Sequence, residues 1–218
     1  CDAMDIHGGK GICLGPKNYL ARGFQSSPIS ITVEGANILS RSLIIFGQGA
    51  IRCHPYIFTE MEALRTGDKH SFDKAFCGHL RFAVGNLFNA LIFALTDARF
   101  LRGSYGVLTR YYHLIKLYSV ILSAFTDLAI LIFGGKLKYK EKLSARLGDV
   151  LSYLYQVSAV LKKFNADGSP EEDIVIVQWC CESLLFKCEN ALYEIIINIP
   201  IRWLRLLTRF IFMPLGRM

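Results

Sequence analysis

The sequence predicts an all-α fold, an up-and-down bundle of long helices, and three observations carry that prediction. Apolar residues recur at three- and four-residue steps over most of the 218 residues. Strict alternation, the mark of a strand, is confined to the short run 29–33 (Ile-Ser-Ile-Thr-Val). The breaks between periodic stretches are short turn-formers, Gly67-Asp68, Gly103-Ser104, Gly134-Gly135 and Asn165 to Gly168. Short connections between long helices make neighbours antiparallel.

The elements follow in order. Residues 1–6 read as the last turns of a helix stopped by Gly8 and Gly9, since glycine tolerates the left-handed conformation that ends helices. Residues 10–33 form a Gly-, Pro- and Ser-rich loop with one short helix near 16–22. A helix from about 34 to 52 ends at His54-Pro55, because the residue before proline leaves the helical region. A short helix covers about 56–66. The next runs over about 71–101 with Ser71 as N-cap, and its core face is expected at Phe72, Phe76, Leu80, Ala83, Leu87, Ala90, Leu91 and Ala94. Two more cover about 105–133 and 138–164, the second with Lys138, Glu141, Lys142, Arg146 and Asp149 on its polar face. Ser169-Pro170-Glu171-Glu172 reads as a helix start with a capping box, and that helix runs to Pro200. A last helix covers 201–213.

Composition narrows the function classes. At 52% hydrophobic the chain can build a real core and is not disordered. The net charge of +7 suits anionic partners such as phospholipid or a polyphosphate ligand. No basic-aromatic motif or zinc-finger spacing is present, so no nucleic acid is expected. The uncharged run 82–96 is shorter than a bilayer needs, and the apolar run 114–133 is interrupted by Lys116 and Asp127. Both are expected as buried or interfacial helices. Seven cysteines, an odd number without a CxxC pair, fit reduced thiols in a cytoplasmic protein. Cys180, Cys181 and Cys188 read as small core residues. His70, Cys77 and His79 fit no common zinc spacing, so no metal is expected there.

Two segments carry chemistry. One is Asp5-Ile6-His7-Gly8-Gly9-Lys10-Gly11, and the other is Val33-Glu34-Gly35-Ala36-Asn37-Ile38-Leu39-Ser40-Arg41. Read alone, Gly8 and Gly9 either stop a helix or let backbone approach a diphosphate. Glu34 alone reads as an acidic residue suited to a helix N-terminus.

Together the segments resemble the acyl-CoA dehydrogenase family. His7, Gly8, Gly9 and Gly11 match that family's Gln-x-His/Phe-Gly-Gly-x-Gly motif, and Glu34, Gly35, Ala36, Asn37 and Arg41 match its Glu-Gly-Thr/Ala-Asn element. The run 9–19 (Gly-Lys-Gly-Ile-Cys-Leu-Gly-Pro-Lys-Asn-Tyr) looks like the large bacterial long-chain members, which carry an extra helical region. The resemblance implies two parts: 1–66, the end of the carboxy-terminal helical domain with the catalytic Glu motif, and 67–218, the helical extension. It implies Glu34 as catalytic base, and Gly8, Gly9 and Gly35 beside flavin adenine dinucleotide (FAD). It also implies a fatty acyl-CoA substrate, dehydrogenated at the α and β carbons in β-oxidation, with electron-transferring flavoprotein as partner and a homo-oligomer as assembly. Asp5 stands where the family has Gln, Ala36 where Thr is usual, and the Arg-Asp-Ala/Ser run before the base is absent. The family's amino-terminal and middle domains are absent too. The chain therefore reads as a fragment, expected to bind flavin poorly and to lack turnover by itself.

The tail offers a second reading, a helical membrane-association or protein-interaction module. Arg202, Arg205 and Arg209 fall on one helical face, with Trp203, Leu204, Leu207, Phe210 and Ile211 on the other. That pattern fits either an interfacial helix at the inner face of the cell membrane or a bundle helix with a solvated basic face.

Overall fold

The computed structural model describes residues 2–31, 40, 47–103 and 106–214, apart from the side chains of 30, 31 and 138. Nine α-helices and no strand occur among the described residues. They are α1 (Asp2–His7), α2 (Ala21–Ser26), α3 (Gly49–Cys53), α4 (Ile57–Thr66), α5 (Lys69–Leu95), α6 (Thr109–Phe133), α7 (Glu141–Ala166), α8 (Ile174–Ile197) and α9 (Arg202–Phe212). The all-α expectation holds. The alternating run does not make a strand where it is described, since Ser27–Ile31 is a 3-10 helix.

Helices α5 to α8 form the bundle. α5 packs on α6, α6 on α7, and α7 on α8 along most of its length, while α9 lies against both α5 and α8. The core is conventional at α7 and α8. Leu147, Val150, Leu154, Val157 and Leu161 meet Cys181, Leu185, Cys188, Leu192 and Ile196, all buried and all at three- and four-residue steps. Burial pushes the Cys181 thiol up to about 11 and the Cys188 thiol to about 12, so both remain protonated packing groups.

Helix α5 corrects the sequence reading in three ways. Its N-cap is Asp68, not Ser71. The Asp68 carboxylate accepts from the Ser71 backbone N–H at 3.1 Å and the Ser71 hydroxyl at 2.6 Å. The helix ends at Leu95 rather than near 101. There Asp97 and Ala98 adopt left-handed φ values of 51° and 54°, and the Ala98 N–H closes onto the Phe93 carbonyl at 2.7 Å. Arg110 holds Asp97 in that turn by an ion pair at 2.7 Å. Finally, only part of the expected core face is buried: Ala90 and Ala94 are, with Ala75 beside them, while Phe76, Leu80 and Leu87 point outward. Near its start the helix also comes close to Tyr56, where a Cβ on Gly78 would lie 2.5 Å from the ring.

Other boundaries move less. The short loop helix lies at 21–26 rather than near 16–22. Ser169 does not cap α8. It takes φ 59°, and a 3-10 turn, Glu171–Asp173, precedes the helix without a side-chain cap. Gly134, at φ 50°, ends α6 where the sequence places the stop.

Candidate functional site

The glycine motif follows α1. Gly8 has φ 62°, a conformation that side chains other than glycine's resist, and the backbone continues as a 3-10 turn through Gly11. A Cβ built at Gly8 or Gly9 would meet nothing within 4 Å. The bare backbone there is open to an approaching group rather than packed under a neighbour. The following loop is pinned by buried Asn18, whose amide donates to the Gly11 and Cys13 carbonyls at 2.9 and 3.1 Å and accepts from the Ala21 N–H at 3.0 Å. His7 lies edge-on to Tyr19, ring centres 5.0 Å apart, and its buried Nε2 has no hydrogen-bond partner among the described residues. Open glycine backbone and Lys10 in the same turn leave room for a phosphate-bearing group. Gly8 and Gly9 thus open the 3-10 turn that leads into the loop held by Asn18. Glu34 and Gly35 lie outside the described residues.

A second cluster was invisible in the sequence. It joins the turn before α4, helix α4 itself, α5 and α6. His54 Nε2 donates to Asp127 at 3.0 Å, and His79 Nδ1 donates to Glu60 at 2.8 Å. His79 Nε2 lies 4.0 Å from the same Asp127 oxygen. Aromatic rings enclose the cluster, with Tyr56 stacked on His79 and Phe82 edge-on to His54. Burial pushes the His54 pKa down and the Asp127 pKa up, each opposed by the charge of its partner. The Asp127 Oδ2 atom is buried without a described partner.

By distance His54, His79 and Asp127 could surround a cation, since their ligand atoms lie within 4.8 Å of one another. The hydrogen bonds of His54 favour a proton instead. Its Nδ1 accepts from the Tyr56 and Ile57 backbone N–H groups at 3.3 and 3.2 Å. The ring proton must therefore sit on Nε2, the atom that a metal would need. The cluster acts as a polar pin between α4, α5 and α6. Its members are 73 residues apart in sequence at the His54–Asp127 bond, and no local pattern announces such a pairing.

A third feature is a cleft of about 690 Å³ between α6, α7 and α8. Phe125, Leu128, Phe133 and Ile195 form its floor, and an Arg146–Glu194 ion pair and Lys140 stand at its rim.

The bundle and the pinned turn before α4 coincide with a known unit. Residues 51–218 match the family model described as acyl-CoA dehydrogenase, C-terminal, bacterial type. The chain belongs to that family. No solved structure matches it.

Proposed function

We propose that this chain is the carboxy-terminal part of a flavin-dependent acyl-CoA dehydrogenase that converts fatty acyl-CoA to trans-2-enoyl-CoA in fatty acid β-oxidation. The observation that carries the reading is the family match over 51–218. The two motifs upstream of it add support. Glu34 serves as general base and takes the α-proton of the thioester. That role calls for a carboxylate whose pKa is raised toward that of its target, and for donors on the thioester oxygen that acidify the α-proton. The chemistry supplied by bound FAD would be acceptance of the β-hydride. Gly8, Gly9 and Gly35 would hold the FAD. The open positive-φ backbone at Gly8 and the unhindered Gly9 give room for a diphosphate.

The family's flavin is shared between subunits, so the enzyme is proposed to be a homo-oligomer, with electron-transferring flavoprotein as acceptor. It works in the cytoplasm, peripheral at the inner face of the cell membrane. Alone, without the amino-terminal and middle domains of the family, the chain is proposed to bind flavin poorly and to be inactive. Two measurements test this. The purified chain should carry no flavin colour. Joined to the two missing domains, it should oxidise acyl-CoA, and Glu34→Gln should lower kcat by about 10³-fold, the usual worth of a general base. Full activity of Glu34→Gln in that assembly would remove Glu34 from the mechanism. Turnover by the lone chain would remove the fragment reading.

A non-catalytic membrane-association module is the second reading, favoured by the surface of α9.

A further inference from the structure

Helix α9 has three faces, not the two of an ordinary amphipathic helix. Leu204, Thr208 and Phe212, spaced four apart, are buried against the bundle, where the Phe212 ring lies 4.5 Å from the Phe125 ring. Arg202, Arg205 and Arg209 make a second face. Arg205 also donates to the Ile197 carbonyl at the end of α8, at 3.3 Å, which fixes the helix to its neighbour. The third face carries Trp203, Leu206, Leu207 and Phe210. Trp203 is 66% exposed, Phe210 64% and Leu206 60%. A bundle helix with a solvated basic side would have buried those bulky groups. Here the burial is done by Leu204, Thr208 and Phe212, and Trp203, Leu206 and Phe210 are left outside.

We propose that this outward face of α9 is a docking surface for an anionic phospholipid bilayer. The inference deepens the peripheral localisation proposed above and is independent of the catalytic reading. Charge argues for lipid over protein. Residues 195–218 contain no Asp or Glu, and none of the three arginines forms an ion pair among the described residues. Arginines bordering exposed Trp, Leu and Phe let the apolar side chains enter the acyl boundary while the guanidinium groups meet lipid phosphates. Size argues the same way. Eleven residues make a helix only roughly 16 Å long. It is too short to cross a bilayer, and its four apolar side chains fall short of the roughly 800 Å² per partner of a specific protein interface. The buried anchors explain how α9 can lie flat, because the bundle holds it by one side and presents the other.

The test is flotation of the full chain with phosphatidylcholine vesicles, with and without phosphatidylglycerol. The chain should float with the anionic vesicles and be released by alkaline carbonate. Trp203→Ser with Phe210→Ser should lower partitioning by about tenfold or more. Each of Arg202→Glu and Arg209→Glu should lower it by about fivefold or more and weaken its salt dependence. Val175→Ser with Ile176→Ser, an exposed apolar pair on α8, should leave it unchanged. Circular dichroism of each variant checks that the bundle is intact. Equal flotation of wild type and the α9 variants sinks this surface while leaving peripheral localisation standing. No flotation at all sinks both. Resistance to carbonate would assign the contact to a spanning helix instead. A concentration-dependent dimer lost with Trp203→Ser and Phe210→Ser would assign the face to a second copy. Flavin content and dehydrogenase activity of the assembled enzyme are read separately, so the Glu34 reading stands or falls without reference to these results.

Discussion

Helices α8 and α5 are close in length, 24 and 27 residues, and both are rich in Leu, Ile and Phe, yet the bundle uses them in opposite ways. On α8 the large residues Leu185, Leu192, Ile195 and Ile196 go inward against α7. On α5 the fully buried positions are the small ones, Ala75, Ala90 and Ala94, while Phe76, Leu80 and Leu87 are exposed and Phe93 packs on the core only in part. The difference comes from what each helix faces. α7 offers aliphatic side chains at matching steps, so large meets large. α5 meets the Tyr56 ring at Gly78 and the Ser123 hydroxyl through Asn86 at 2.9 Å. At these points α5 meets its neighbours by close approach and polar pairing. Apolar periodicity therefore marks the stripe that holds Ala90 and Ala94, but not how much of that stripe is covered, since Phe76, Leu80 and Leu87 stay exposed on it.

The largest expected effect separates the two helices directly. Leu192→Ala removes a side chain with no exposed surface and should cost about 2–5 kcal/mol in urea unfolding. Leu80→Ala removes one that is 58% exposed and should change stability by no more than about 0.5 kcal/mol. Equal losses would mean that α5 buries its large face against something, and the contrast would fail. A pair of glycines sharpens the point. Gly78→Ala puts a Cβ 2.5 Å from a Tyr56 ring already enclosed by His54, His79 and Phe82, and should destabilise by about 1–3 kcal/mol. Gly85→Ala meets nothing within 4 Å on the same helix and should stabilise by about 0.5–1 kcal/mol. If the two substitutions behave alike, Tyr56 does not pack against α5 as described.

The smallest effect is pH-dependent and belongs to the pin that joins α5 to α4 and α6. The folded-state pKa of His54 lies below its ordinary 6.5, because burial disfavours the imidazolium. The unfolded chain therefore takes up this proton first, and stability should fall as pH drops from neutral through 6.5. Asp127 works in the other sense. Its folded pKa is raised by burial, so it returns stability only at more acid pH, as the folded carboxyl protonates ahead of the unfolded one. Thermal unfolding at a series of pH values should show the fall around 6.5 in wild type and a flatter profile in His54→Gln. An unchanged slope in the variant would remove His54 from the linkage.

Much of the helix order was legible because its signals are local. Glycine at a positive φ after α4 and α6, proline after His54 and Ile199, and continuous three- and four-residue periodicity each act within a few residues of the element they define. The glycine motif was legible for the same reason, since Gly8 needs its conformation whatever lies beyond it. Cap identity was nearly so: Ser71 was a sound candidate until Asp68, three residues earlier, took both its amide and its hydroxyl.

What the sequence alone determined is that this is an all-helical chain, where most of its turns fall, and which short motifs tie it to the acyl-CoA dehydrogenases. Only the tertiary structure decided how much of the apolar stripe of α5 is buried, that His54, His79 and Asp127 meet, and that α9 spends Leu204, Thr208 and Phe212 on the bundle while keeping Trp203 and Phe210 outside. Those outcomes depend on which surface arrives opposite each helix. A linear pattern specifies the faces a helix can offer, and close packing against a particular neighbour selects among them.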